Sequence, residues 1–240
     1  MENLTLSTLA TFILLTGSAY ASSVNDKWSY VGETGPDRWQ AMCQNGKNQS
    51  PVNIINSLEA NLPPLTLNYK AKTKEAIHNG HAIQLEFREG ASMSIEGEKM
   101  KLLQAHFHSP SENTINGEHF PLEAHYVHQG TNGNLIVLAI LYREGEHNKQ
   151  IQKLIRHMPK KKGNKTRPKK LRATNLLPDN LDYYRYNGSL TTPPCSEGVT
   201  WIVLKSHPTL SEKQIKAFKA PFHGPTNRPV QPLNARYILK

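Results

Sequence analysis

Cysteine is nearly missing from this chain, with two in 240 residues. That excludes a disulfide-dense miniprotein and any zinc cluster built on four cysteines. Acidic side chains are also short, 19 against 29 Lys plus Arg, for a formal charge of +10. Such an excess can serve nucleic acid, an acidic surface or solubility alone. Long apolar runs are scarce as well. Residues 4–15 form the one candidate, and it is too short to span a bilayer. With 20% charged and 37% hydrophobic residues, the chain is neither a membrane bundle nor a high-charge disordered polymer. Repeats and linkers are missing too, so the length suits one domain with a sizeable core.

Much of the positive charge is local. Lys160, Lys161, Lys162, Lys165, Arg167, Lys169, Lys170 and Arg172 share one stretch that holds no acid. Gly163 and Pro168 interrupt it, so it reads as a loop, not a helix face. It is either a patch for anionic surfaces or a mobile, solvated loop. No aromatic is interleaved to stack on bases, and nucleic acid is not expected.

At the N-terminus the apolar run is followed by Ala19-Tyr20-Ala21, a small-x-small pattern typical of signal-peptidase cleavage. Residues 1–21 are therefore expected to be a cleaved signal peptide, leaving 22–240 periplasmic or secreted. Glu2 is atypical, since the segment before the run carries no Lys or Arg. In an oxidising compartment Cys43 and Cys195 are expected to pair, the alternative being two separate buried thiols.

Short strand-like runs dominate the remainder. Residues 82–87 and 92–96 alternate apolar and polar, and 102–108, 122–127, 135–142 and 199–204 follow. Asn79-Gly80, Glu89-Gly90, Glu96-Gly97, Asn132-Gly133 and Asn187-Gly188 read as turns between them. Residues 135–141 are apolar on both faces and belong mid-sheet. Helices look few: Ile151, Leu154, Ile155 and Met158 make one stripe, and Ser211 with Gln214 caps a second helix running through Phe218. The expected fold is mainly β (α+β), a single domain with a large, twisted, mainly antiparallel central sheet, a few short peripheral helices and long loops.

The chain has 11 histidines, so a His-x-His pair arises readily by chance. On a strand, however, His106 and His108 point to one face. If residues 122–127 pair antiparallel with that strand, His125 can reach the same spot. Three neutral imidazoles with no further strong ligand suit zinc with an open fourth position; otherwise they are ordinary strand residues. Gln104 and Glu123, each two residues before a histidine, can accept the ring N–H that faces away from the ion.

From these residues outward the chain closely resembles the α-class carbonic anhydrases of the exported bacterial type. The resemblance runs from Trp28-Ser29-Tyr30 to Arg236. Its marks include Gln49-Ser50-Pro51-Val52-Asn53-Ile54, Asn79-Gly80-His81-Ala82 and Gln104-Ala105-His106-Phe107-His108. Then come Ser111-Glu112, Glu123-Ala124-His125-Tyr126-Val127-His128, Gly188-Ser189-Leu190-Thr191-Thr192-Pro193-Pro194, Trp201-Ile202-Val203-Leu204 and Arg228-Pro229-Val230-Gln231-Pro232. The resemblance implies reversible hydration of CO2 to bicarbonate and a proton by zinc-bound hydroxide, with one Zn2+ per chain on His106, His108 and His125. Ester hydrolysis is an implied side activity.

By the same resemblance, Thr191 is the gatekeeper hydroxyl and Glu112 the carboxylate that orients it. The Thr191 N–H orients a CO2 oxygen, and Thr192 meets product and inhibitors. Val127, Val137, Leu190, Val199 and Trp201 match the apolar wall for CO2. His81 occupies the proton-shuttle position, with Tyr30, Asn79 and Gln84 ordering the solvent between it and the metal. Sulfonamides and anions are the implied inhibitors, and exported relatives suggest a homodimer. Cys43 and Cys195 fit the family's bridge, which would brace the Thr191 loop. Asn113 and Ser109 depart from animal relatives, which often have His and Trp there, and the basic loop is unusual. Two rival readings stand beside the enzyme: a carbonic-anhydrase-like binding protein without chemistry, and a polyanion binder with structural zinc.

Overall fold

The structure, a computed structural model, describes residues 28–240. The leader expected over 1–21, with its cut after Ala21, lies outside the described residues. Eight strands form the path of an eleven-stranded sheet. They are β1 (Thr73–His78), β2 (Ile83–Phe87), β3 (Glu98–His108), β4 (Leu122–Gln129), β5 (Leu135–Glu144), β6 (Lys165–Thr166), β7 (Tyr183–Ser189) and β8 (Glu197–Leu204). Their spatial order is β6-β1-β2-β3-β4-β5-β8-β7. Neighbours along this path are antiparallel except β5 and β8, which run parallel, so the sheet is mixed but mainly antiparallel as expected.

The alternation read in the sequence becomes two faces. One carries the larger core, where Ala105, Phe107, Tyr126, Leu138 and Ile202 pack with Leu154 and Phe218. Leu154 comes from the helix Lys149–His157, which Asn148 caps by accepting the N–H groups of Gln150 and Ile151, each at 3.0 Å. Phe218 comes from the helix Glu212–Lys219, where Gln214 Oε1 accepts the Ser211 N–H at 3.2 Å. The other face carries Val127, Val137, Ala139, Val199, Trp201 and Val203. Strand β5 is hydrogen-bonded on both sides and buried along 136–142, which explains its unbroken apolar run.

Two local features set which residue faces which side. The pairing of β3 with β4 shifts between Leu102 and Gln104, leaving Leu103 as an extra residue that is 39% exposed. This bulge turns Gln104, His106 and His108 to one face while Leu102 joins the core on the other. The expected turn at Asn187-Gly188 is not a turn. Both residues lie inside β7, where the pairing with β8 shifts at Gly188/Ser189. Gly188 is there for space: a Cβ would sit 3.1 Å from Trp201 Cδ1 and closer still to Ser50 Oγ.

The basic stretch is a surface loop but a tethered one. Lys165 and Thr166 pair with Ile77 and Ala76 of β1, and Pro168 and Leu171 are buried. Cys43 and Cys195 form a disulfide across a sequence separation of 152, with Cα atoms 5.0 Å apart. Among the described residues no helix is long and apolar enough to cross a membrane.

Candidate metal centre and its pocket

Residues directly opposed across paired strands share a face. One such row reads Gln84, His106, His125, Ala139 and Val203, across β2, β3, β4, β5 and β8. The next row on that face reads Gln104, Val127, Val137, Trp201 and Tyr186. A third begins with His108 opposite Glu123. The fold thus sets imidazoles, their polar supports and apolar side chains side by side.

His106, His108 and His125 converge, each offering a nitrogen, and these atoms lie within 4.8 Å of one another. The opposite nitrogens are held from behind. His106 Nδ1 donates to Gln104 Oε1 at 2.9 Å and His108 Nδ1 to the Thr226 carbonyl at 2.5 Å. His125 Nε2 lies 3.0 Å from Glu123 Oε1, an ion-pair distance whose angle is off the hydrogen-bond line. The nitrogens left facing the shared point are Nε2 of His106, Nε2 of His108 and Nδ1 of His125. His108 Nε2 is buried without a hydrogen-bond partner among the described residues. Burial pushes His106 and His125 well below the usual histidine range and His108 below it, so all three are held neutral, as metal ligands must be. Three converging neutral imidazoles with an orphaned nitrogen fit a zinc ion.

The carboxylates are fully buried. Glu123 accepts the Glu112 and Asn113 N–H groups at 2.7 and 2.9 Å, and Asn113 Nδ2 at 2.7 Å. Burial pushes its carboxyl up, and the bonds from Asn113 draw it back. Glu112 Oε1 accepts the Arg228 N–H at 2.9 Å, and the Thr191 side chain lies beside this carboxyl. Its other oxygen sits 3.5 Å from His108 Nε2 and 3.9 Å from His125 Nδ1. Burial drives the Glu112 carboxyl well above the usual range, against the pull of Thr191 and Arg228.

The remaining expected residues fall around this centre. Val127, Val137, Val199 and Trp201 are buried in one apolar cluster with Leu190 packed against it. Trp201 meets the His125 ring edge-on at 4.9 Å, and its indole N–H donates to the Ser189 carbonyl at 3.0 Å. Thr191 is buried and Thr192 half-buried, just before Cys195, whose N–H returns to the Thr192 carbonyl at 2.8 Å. His81 stacks on Trp28, ring centroids 3.7 Å apart. Asn79 Oδ1 fixes that turn by accepting the His81 and Ala82 N–H groups at 2.9 and 2.8 Å, and its Nδ2 donates to Gln84 at 3.3 Å. The Tyr30 ring meets His108 edge-on at 6.2 Å.

Three contributors escaped the sequence reading. Thr226 acts through its backbone carbonyl, which any residue supplies, so no side-chain signal exists. Asn113 was noted only as a departure, yet it supports Glu123. Arg228 was noted within a motif, but its contacts were not foreseen. Its guanidinium donates to Cys43 O, Gln49 Oε1 and Ser50 O at 2.7–2.8 Å, tying the disulfide segment to the strand-end loop.

Comparison with known proteins agrees with this geometry. The sequence pattern of the family described as eukaryotic-type carbonic anhydrase matches residues 34–240. A carbonic anhydrase of Neisseria gonorrhoeae is 40% identical over 246 residues, covering 98% of each chain. The α-carbonic anhydrase of Photobacterium profundum superposes with a TM-score of 0.86 at 42% identity, covering 89% of this chain and all of that one. The Thermovibrio ammonificans α-carbonic anhydrase, solved with the inhibitor sulfanilamide, superposes with a TM-score of 0.86 at 43% identity, over 89% and 98% of the two chains.

Proposed function

This chain belongs to the eukaryotic-type (α) carbonic anhydrase family and is a carbonic anhydrase, and we propose that it hydrates CO2 with one zinc ion held by His106, His108 and His125. The observation that carries the reading is the convergence of three neutral imidazoles, each braced from behind, beside the Glu112–Thr191 pair. Bound zinc supplies a Lewis acid that stabilises hydroxide over water, so a nucleophile is available near neutral pH.

The chain's residues do the rest. Glu112, when ionised, can only accept, so the Thr191 hydroxyl must donate to it. The Thr191 oxygen then faces the site as an acceptor and selects one orientation of the nucleophile. The Thr191 N–H offers a donor to an oxygen of CO2 or bicarbonate, and Thr192 borders the same place. CO2 has no charge to grip, so Val127, Val137, Leu190, Val199 and Trp201 receive it by excluding water. His81 carries the released proton outward, since an imidazole titrates near neutrality. Its stacking on Trp28 and partial exposure support that role, and Tyr30, Asn79 and Gln84 order the solvent between it and the metal. Ester hydrolysis follows as a side activity, because the Lewis acid that His106, His108 and His125 would hold would serve other carbonyl carbons equally.

Further readings complete the proposal. The mature enzyme begins at Ser22 and works in the periplasm or outside the cell. It is inhibited by sulfonamides and anions and forms a homodimer, and its basic segment meets anionic surfaces.

The test is stopped-flow CO2 hydration by the 22–240 chain, with a zinc assay and a sulfonamide titration. Fast hydration, about one zinc per chain and full inhibition are expected. Zinc bound at that ratio with no hydration would sink the catalytic reading in favour of a binding protein.

A further inference from the structure

The basic loop reaches the mouth of the site. Gly163 N–H donates to the His78 carbonyl at 2.8 Å, and His78 N–H donates to the Asn164 carbonyl at 3.1 Å. These bonds lay the loop against the end of β1, just before the His81 turn. Lys162 crosses Gly80 so closely that a Cβ there would sit 2.8 Å from Lys162 Cε. On the other side, His78 Nε2 meets the Pro221 carbonyl at 3.2 Å, and Thr226 N–H donates to the Ser109 carbonyl at 3.1 Å, fixing the segment that carries His223. Between them lies an open cleft of about 290 Å3. Lys162, His81 and His223 line it with Trp28 and Tyr30, and no carboxylate is among its lining residues. Tyr30 also meets His108, so the cleft borders the route from the metal ligands.

We propose that this cleft is a subsite for a small dianionic proton acceptor of the hydrogenphosphate type. The proposal rests on the reading of His81 as proton shuttle. Lys162 and His223 hold the anion beside the His81 ring. The N–H bond of the His81 imidazolium breaks and an O–H bond forms on the anion, so hydrogenphosphate leaves as dihydrogenphosphate and the ring returns neutral. No electron changes hands. Coulomb attraction scales with charge, so Lys162 holds the dianion more strongly than the monoanion it becomes. Arrival of the acceptor and release of the product are thus both favoured. A neutral base of similar pKa gains nothing from Lys162.

The experiment uses the zinc-loaded 22–240 chain, with inorganic phosphate and the neutral base 1,2-dimethylimidazole as probes at constant low ionic strength. NMR follows the His81 and His223 ring protons, and steady-state CO2 hydration is measured against the concentration of each buffer. Phosphate is expected to shift both rings saturably. In Lys162→Glu the phosphate midpoint rises about fivefold or more, and the ratio of phosphate to neutral-base response falls equally. Lys162 is exposed, so this variant keeps its fold. Unmoved rings, or a phosphate response unchanged in Lys162→Glu, overturns the subsite. His81→Ala separates the shuttle reading. If hydration at low buffer is unaffected while His223 still senses phosphate, the anion site stands and the proton transfer from His81 is refuted.

Discussion

Asn113→Ala tests whether the buried support of His125 is as demanding as its geometry implies. Asn113 is fully buried. Its Nδ2 donates to Glu123 Oε1 at 2.7 Å, while its Oδ1 accepts the Val52 N–H at 3.2 Å and the Tyr186 O–H at 2.8 Å. Truncation leaves two donors without acceptors and removes one donor from a buried carboxylate. Each buried group left unsatisfied costs about 1–3 kcal/mol, and the three share one site, so the expected loss is about 3–5 kcal/mol. The Glu123 carboxyl, already pushed up by burial, loses a bond that draws it down and moves further towards its neutral form. A neutral Glu123 grips His125 Nε2 less well, and disturbing such a support lowers metal affinity about tenfold or more. Urea unfolding of the metal-free 22–240 chain reads the first effect, and competition with a chromophoric zinc chelator reads the second. A stability loss below about 1 kcal/mol with unchanged zinc affinity refutes the reasoning, because the three partners would then have found substitutes.

Two other perturbations probe different parts of the fold. His128 is buried, with Nδ1 near the Ile136 carbonyl at 3.3 Å and Nε2 against the Tyr69 hydroxyl, and burial lowers its pKa from 6.5 to about 4. The unfolded chain therefore binds the proton first as pH falls. The stability this group contributes is whole above pH 6.5 and is lost progressively towards pH 4, about 3 kcal/mol in all. His128→Gln should flatten the dependence of urea midpoint on pH in that window, and identical slopes in variant and parent refute it. Cys43→Ser opens a loop of sequence separation 152, for which chain entropy allows a loss of up to about 5 kcal/mol. It also frees the segment after Thr192. The unfolding midpoint should fall, and insensitivity of the parent to reductant would argue against any bracing by the bridge.

What could be read from sequence was whatever side-chain chemistry and period encode. His106 and His108 share a face by the two-residue repeat, and Gln104 and Glu123 sit at the same offset before their histidines. The apolar run of β5 announced a doubly covered strand. What escaped depended on register and on backbone. His125 faces His106 because the bulge at Leu103 sets the pairing, and a one-residue slip would have turned either ring into the opposite core. Gly188 read as a turn because glycine signals both a positive φ and a close approach, and sequence alone does not separate them. The Thr226 carbonyl has no signature, and the meeting of Lys162 with the His81 turn is a long-range contact no local pattern carries.

The buried charges explain why these parts belong together. Three histidines held neutral by burial contribute no charge. Glu112 and Glu123, when ionised, contribute two negatives against the buried guanidinium of Arg228. Protein groups alone thus leave one negative charge in excess in a desolvated site, and burial itself pushes both carboxyls up. A divalent cation held by the three imidazoles would reverse that sign close to Glu112, whose free oxygen lies 3.5 Å from His108 Nε2. It would then favour the ionised carboxylate that the proposed role of the Thr191 hydroxyl requires as its acceptor. On the proposed zinc reading, zinc affinity, the ionisation of Glu112 and the orientation of Thr191 would therefore form one linked equilibrium. Glu112→Gln, which keeps the shape and removes one negative charge, should weaken zinc binding and hydration together.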